Sequence, residues 1–122
     1  MGNQFVWVDI PVTDLDRAID FYSKVLGNPV TKTGGEGFVF ALLPQANSAV
    51  SGCLYTSTEN APSKTGPLVY LNANGRIRQA VQAATQSGGQ IVQDVHPIGP
   101  HGFRALLIDS EGNRIALHSL TN

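Results

Sequence analysis

Residues 4–27, QFVWVDIPVTDLDRAIDFYSKVLG, run from a strand almost directly into a helix. In QFVWVDIP (4–11) the side chains alternate, with Phe5, Trp7 and Asp9 pointing one way and Val6, Val8 and Ile10 the other. That two-residue period describes a strand buried on one face, with something polar wanted on the other. From Thr13 to Leu26 the period changes. Leu15, Ala18, Ile19, Tyr22, Val25 and Leu26 recur at i, i+3, i+4, i+7, while Asp16, Arg17, Asp20, Ser23 and Lys24 cover the opposite face. Thr13, with Asp16 three residues on, is the expected N-terminal cap, and Gly27 the expected stop.

Beyond this stretch the spacing predicts strands at 29–33, 37–43 and 50–56, separated by turns at 34–36 and 44–48. Residues 57–66, STENAPSKTG, are polar and aperiodic and read as a linker. The order then repeats: a strand at 67–73, a helix near Arg76–Ser87 stopped by Gly88-Gly89, and strands at 90–95, 103–109 and 113–119. Asp109–Asn113 closes the last hairpin, with Gly112 suited to a positive φ. The expected architecture is α+β: two βαβββ modules, 4–56 and 67–119, in one domain spanning 1–122.

Composition narrows the function classes. A chain of 122 residues buries roughly 65–70% of its unfolded surface, so it needs no metal or disulfide staple. Eight basic residues against nine acidic ones, with no cluster of Lys or Arg, argue against a nucleic-acid partner. The single cysteine, Cys53, excludes an internal disulfide and fits a reducing cytosol. Asp9 and Pro11 interrupt the N-terminal apolar run, and Val6 stands where a myristoylation start needs Ser or Thr. No apolar run approaches the ~18 residues of a membrane span. The expectation is a cytoplasmic protein with no membrane partner. Gly34–Gly37 lacks the strand-before, helix-after context of a phosphate loop, and GxSxG, CxxC and HExxH are absent.

The paired modules, with DLDRAIDFYSKVLG (14–27), the glycine pair at 88–89 and HGFRALLIDSEGNRIALHS (101–119), resemble the vicinal oxygen chelate superfamily. That group includes glyoxalase I, bleomycin-resistance proteins, extradiol dioxygenases and methylmalonyl-CoA epimerase. The resemblance implies two open sheets that each curl into a U, and a homodimer. It also implies a divalent metal on four ligands, usually His, Glu, His and Glu, from the first and last strand of each module. Carried onto this chain, those positions fall at Trp7, near Cys53, at Pro67 and at Ala116. Tryptophan, proline and alanine offer no metal donor, and a lone thiolate would not hold the ion. The expectation is therefore no metal and no other cofactor. It leaves a small-molecule-binding protein whose cavity suits a flat or aromatic ligand. The alternative is a glyoxalase-like lyase or isomerase using Asp9 and His118, or a non-standard metal site.

Several side chains are candidates for that cavity. Asp9 shares a face with Trp7, and His118 with Ala116. A carboxylate and an imidazole can form a general acid–base pair, although a cap or backbone contact for Asp9 at the sheet rim and a structural hydrogen bond for His118 near the chain end also account for them. Trp7 is either a stacking platform or cavity filling. Phe38 and Phe40 give the third strand an aromatic face, which core packing also explains. Cys53 and Tyr55 fall on the fourth strand, Cys53 as a small buried thiol rather than a nucleophile. In HPIGPHGFR (96–104) the two prolines forbid a helix, and the loop reads as a lip bringing His101, Phe103 and Arg104 to ligand or partner. Arg104 can grip a carboxylate bidentately, or instead pair with Asp109 or Glu111.

Overall fold

The computed structural model describes residues 2–35, 37–47 and 49–122. Met1, and Glu36 and Ser48 of the two expected turns, lie outside the described residues. Module one holds β1 (Trp7–Pro11), α1 (Leu15–Leu26), β2 (Thr31–Gly35), β3 (Phe38–Leu42) and β4 (Ser51–Tyr55). Module two holds β5 (Val69–Asn72), α2 (Ile77–Gln86), β6 (Gln90–Pro97), β7 (Phe103–Ile108) and β8 (Arg114–Ser119). Between β6 and β7, Gly99–His101 form a single 3-10 turn, contrary to the expectation of no helix there, because Pro100 sits in its first positions where no amide donor is needed. The strand order is β1-β4-β3-β2 in one sheet and β5-β8-β7-β6 in the other, so the modules repeat one topology. In each, the first strand pairs in parallel with the last, which requires the long crossover through helix and hairpin. The other pairings are antiparallel.

The start of α1 differs from the expectation. Asp14, not Thr13, is the cap, and its side chain accepts the Arg17 amide at 3.0 Å. Thr13 instead donates its amide and its hydroxyl to Glu111 Oε1, both at 3.0 Å. A carboxylate from the distant β7–β8 turn has taken the donors that a local cap would leave free, and the Asp14 amide joins them at 2.8 Å. The helix ends as expected, with Gly27 at φ 70° and its amide on the Ser23 carbonyl at 3.0 Å.

Each helix covers one face of its sheet, and the apolar side chains facing it merge into one core across both modules. Ala18, Phe21, Tyr22 and Val25 of α1 and Ile77, Ala80, Val81 and Ala84 of α2 are buried there. Phe21 lies off the apolar stripe read from the sequence. It is buried because α1 packs against α2 as well as against its own sheet. Gly89 makes that approach possible, since a Cβ on it would stand 2.8 Å from the Phe21 ring and 2.9 Å from the Ala84 carbonyl.

Polar contacts also cross between modules. The buried Tyr22 hydroxyl donates to Asp109, Asn113 Nδ2 to the Pro11 carbonyl at 2.7 Å, and Arg76 Nη1 to the Val25 carbonyl at 2.6 Å. Among the described residues no helix is long and apolar enough to cross a membrane.

Candidate functional site

On the face of each sheet opposite its helix, strand alternation decides which side chains stand. In sheet one the buried Ile10, Ala41 and Leu54 mark the helix side by their register. Trp7, Asp9, Phe40, Cys53 and Tyr55 therefore share the helix-free face, with Phe38 at the end of the same β3 row. The Trp7 indole donates to Asp9 Oδ1 at 3.0 Å, and the Cys53 thiol donates to the same oxygen at 3.2 Å. One carboxylate oxygen thus fixes the edge of the indole while Trp7 as a whole stays 42% exposed. Burial, and next the hydrogen bond to Asp9, push the Cys53 thiol up to about 11, so it stays protonated at neutral pH. Phe38 and Phe40 stack with centroids 5.9 Å apart, and Tyr55, opposite Phe40, accepts from Asn60 Nδ2 at 2.7 Å.

Sheet two offers two adjoining rows on its helix-free face. Tyr70, Ala116 and Leu106 lie side by side across β5, β8 and β7, and Asn72, His118, Arg104 and His96 form the next row. Arg104 Nε donates to His96 Nε2 at 3.0 Å, and Nη1 donates to the Tyr70 hydroxyl at 2.6 Å. His96 Nδ1 in turn donates to the Asp94 carbonyl at 2.7 Å, which fixes its tautomer. His118 Nε2 donates to the His101 carbonyl at 2.7 Å, so the 96–104 loop meets it through backbone.

The candidate residues are therefore only partly brought together. Asp9 and His118 do not touch in this chain; each is hydrogen-bonded to a different neighbour on a different sheet. Phe103 registers with Ser119, which puts it on the face opposite Arg104 and away from the lip role expected of it. The salt-bridge alternative for Arg104 falls away too, because Glu111 pairs with Arg17 at 2.6 Å and Asp109 is held by Tyr22 and Asn113. Tyr70 went unnoticed in the sequence, although alternation in PLVYLNA points it to the same side as His118.

The two modules can be superposed bond for bond. The Val12 amide donates to the Tyr55 carbonyl and the Ala73 amide to the His118 carbonyl, both at 2.8 Å. Counting back from these bonds, Asp9 matches Tyr70, Cys53 matches Ala116, and Trp7 matches Leu68 rather than Pro67. Pro67 lies ahead of β5, one residue out of phase with the helix-free face. Tryptophan, leucine and a fully buried alanine carry no metal donor, and a single thiol by itself does not hold a divalent cation. Among the described residues no three His, Cys, Asp or Glu side chains converge on a metal position elsewhere.

Two clefts lie between the facing edge strands β1 and β5. The larger, about 550 Å³, is lined by Val8, Ile10, Leu43, Val50, Leu71 and Tyr70, among others. The smaller, about 270 Å³, reaches Asp9, Asn60 and Arg114. Neither includes Trp7, Cys53 or Arg104; Tyr70 is the side chain that joins the larger cleft to the Arg104 row.

Twin βαβββ modules of identical strand order, each with its helix packed on one sheet face, define a paired-module α+β protein. The chain belongs to the Glyoxalase/Bleomycin resistance protein/Dioxygenase superfamily, whose family model matches residues 4–117. A "Glyoxylase-like domain-containing protein" of Didymella fabae is 30% identical over 124 aligned positions, covering 96% of this chain and 94% of that protein. A glyoxalase/bleomycin resistance protein from Albidiferax ferrireducens has the same fold (TM-score 0.72, 20% identity, 96% of this chain and 99% of that one). So does a glyoxalase I mutant from Zea mays (TM-score 0.74, 23% identity, 94% of this chain), of which this chain spans 45%.

Proposed function

We propose that this chain is a metal-free, small-molecule-binding member of the superfamily, whose ligand is flat or aromatic and lies on the helix-free face of the sheets. The observation that carries this reading is Trp7. At a position where the family's enzymes place a metal ligand stands a half-exposed tryptophan whose indole edge is held by Asp9. An aromatic plane held in one orientation loses little entropy on stacking a planar guest. Tyr55, Phe38 and Phe40 extend the same face with further aromatic surface.

In this reading Asp9 positions Trp7 rather than abstracting a proton. The lyase or isomerase alternative, built on Asp9 with His118, finds no contact within the chain to support it. The reading includes a homodimer in a cytoplasmic setting; exposed Phe5, Val6 and Val39 are apolar surface that a second copy would cover.

The test combines metal analysis with ligand screening. Elemental mass spectrometry after incubation with Zn²⁺, Ni²⁺, Mn²⁺ and Fe²⁺ should find far less than one metal per protomer. Planar aromatic compounds should raise the melting temperature and change the emission of Trp7. One tightly held metal per protomer, or a compound library that leaves Trp7 emission and melting untouched, would overturn the proposal.

A further inference from the structure

We infer that the ligand carries a carboxylate, received by Arg104 on the helix-free face of sheet two. This rests on the reading of that face as the ligand surface. Arg104 is half-buried, and its orientation is set by two neutral groups, the His96 ring at 3.0 Å and the Tyr70 hydroxyl at 2.6 Å. Among the described residues no carboxylate pairs with it; β5, β7 and β8 contain no Asp or Glu, and the one acid of β6, Asp94, accepts the Val95 amide at 2.7 Å.

A guanidinium has five N–H donors, so two bonds leave three, on Nη1 and Nη2. Those two nitrogens are the pair that grips a carboxylate end-on. The cation is thus held in place by partners that leave its charge uncompensated. A purely structural arginine on this face would more simply be balanced by an acid.

The neighbouring row says what the carboxylate is attached to. Beside Arg104, two residues along the strands, Tyr70 and Leu106 flank the fully buried Ala116 and make an apolar strip. Two residues of strand rise about 6.6 Å, a span that a carboxylate borne directly on an aromatic ring covers. A phosphate fits less well, since a dianion would face one guanidinium among neutral partners.

The experiment is nuclear magnetic resonance of the full chain, following the Arg104 Nε–H and the Trp7 indole N–H together. Benzoate, benzamide and inorganic phosphate are titrated separately at constant ionic strength. Benzoate should shift the Arg104 signal saturably, benzamide should not, and Arg104→Gln should weaken benzoate about tenfold or more. Arg104→Lys, which keeps the charge but loses the fork, should retain only part of the affinity.

Equal response to benzoate and benzamide at Trp7, with Arg104 unmoved, overturns the carboxylate assignment and leaves the flat-ligand reading standing. A benzoate shift at Arg104 with Trp7 silent upholds the assignment and removes Trp7 as the platform. Phosphate shifting Arg104 where benzoate does not also overturns it. So does benzoate affinity unchanged in Arg104→Gln.

Discussion

Replacing Glu111 by glutamine removes one negative charge from the junction that ties the β7–β8 turn to the start of α1. In the wild type the carboxylate, whose side chain is fully covered, accepts from Arg17, the Thr13 amide and hydroxyl, the Asp14 amide and Ser110. Burial by itself would push its pKa up. Arg17 and the bonds from Asp14, Ser110 and Thr13 outweigh that and bring it from 4.5 down to about 2. At 1.36 kcal/mol per pH unit the difference corresponds to about 3.4 kcal/mol. Arg17 is half exposed to water, which screens the pair, so about 2 kcal/mol is the expected loss at neutral pH.

For a domain of this size that loss lowers the melting temperature by roughly 6–10 °C. The pH dependence follows from the depressed pKa. The stabilisation is fully present above the unfolded-state value of 4.5 and is lost as pH falls through about 2. Urea unfolding of wild type and Glu111→Gln at neutral pH and at a series of acid values measures both quantities. The gap should be widest at neutral pH and should narrow steadily below 4.5. A gap under about 0.5 kcal/mol at neutral pH, or one that does not change on acidification, would refute the reasoning.

Two further outcomes come from other parts of the fold. The Cys53 thiol, pushed up to about 11 by burial and by Asp9, should react slowly with a thiol reagent under mildly alkaline conditions in the folded protein. Asp9→Asn should speed that reaction, and no change in rate would mean that Asp9 does not govern the thiol. Gly89→Ala should destabilise the chain by about 1–3 kcal/mol, because its Cβ would stand 2.8 Å from the Phe21 ring. Phe21→Leu should recover part of that loss in a double-mutant cycle measured by urea unfolding, and strictly additive effects would discount the contact.

Which strand side chains share a face is legible in the sequence, because alternation assigns faces without reference to the rest of the fold. Trp7, Asp9, Cys53 and Tyr55 fall on one side by residue parity and register, as do Arg104 and His118. Parity also places Phe103 on the far side, and only its grouping with the 96–104 loop obscured that. What the chain order could not show was which partners each group would choose. Asp9 engages Trp7 and Cys53, not His118. Arg104 engages His96 and Tyr70, not Asp109 or Glu111.

By itself, then, the sequence determined the type and order of the elements, the repeat of one module by another, and the faces of most strands. These depend on local periodicity, on turn glycines and on the change from a two-residue to a 3.6-residue period, all of which act within a few neighbours. The tertiary structure decided the cap of α1, the match of Trp7 to Leu68, and the charge state around Cys53. It also decided that, among the described residues, Arg104 stands without an acid. Each of these depends on which groups meet across long separations, such as Thr13 with Glu111 at 98 residues or Asp9 with Cys53 at 44. Those meetings are selected by packing the helices and sheets together, where a hydrogen bond or ion pair forms with whichever partner the fold brings within reach.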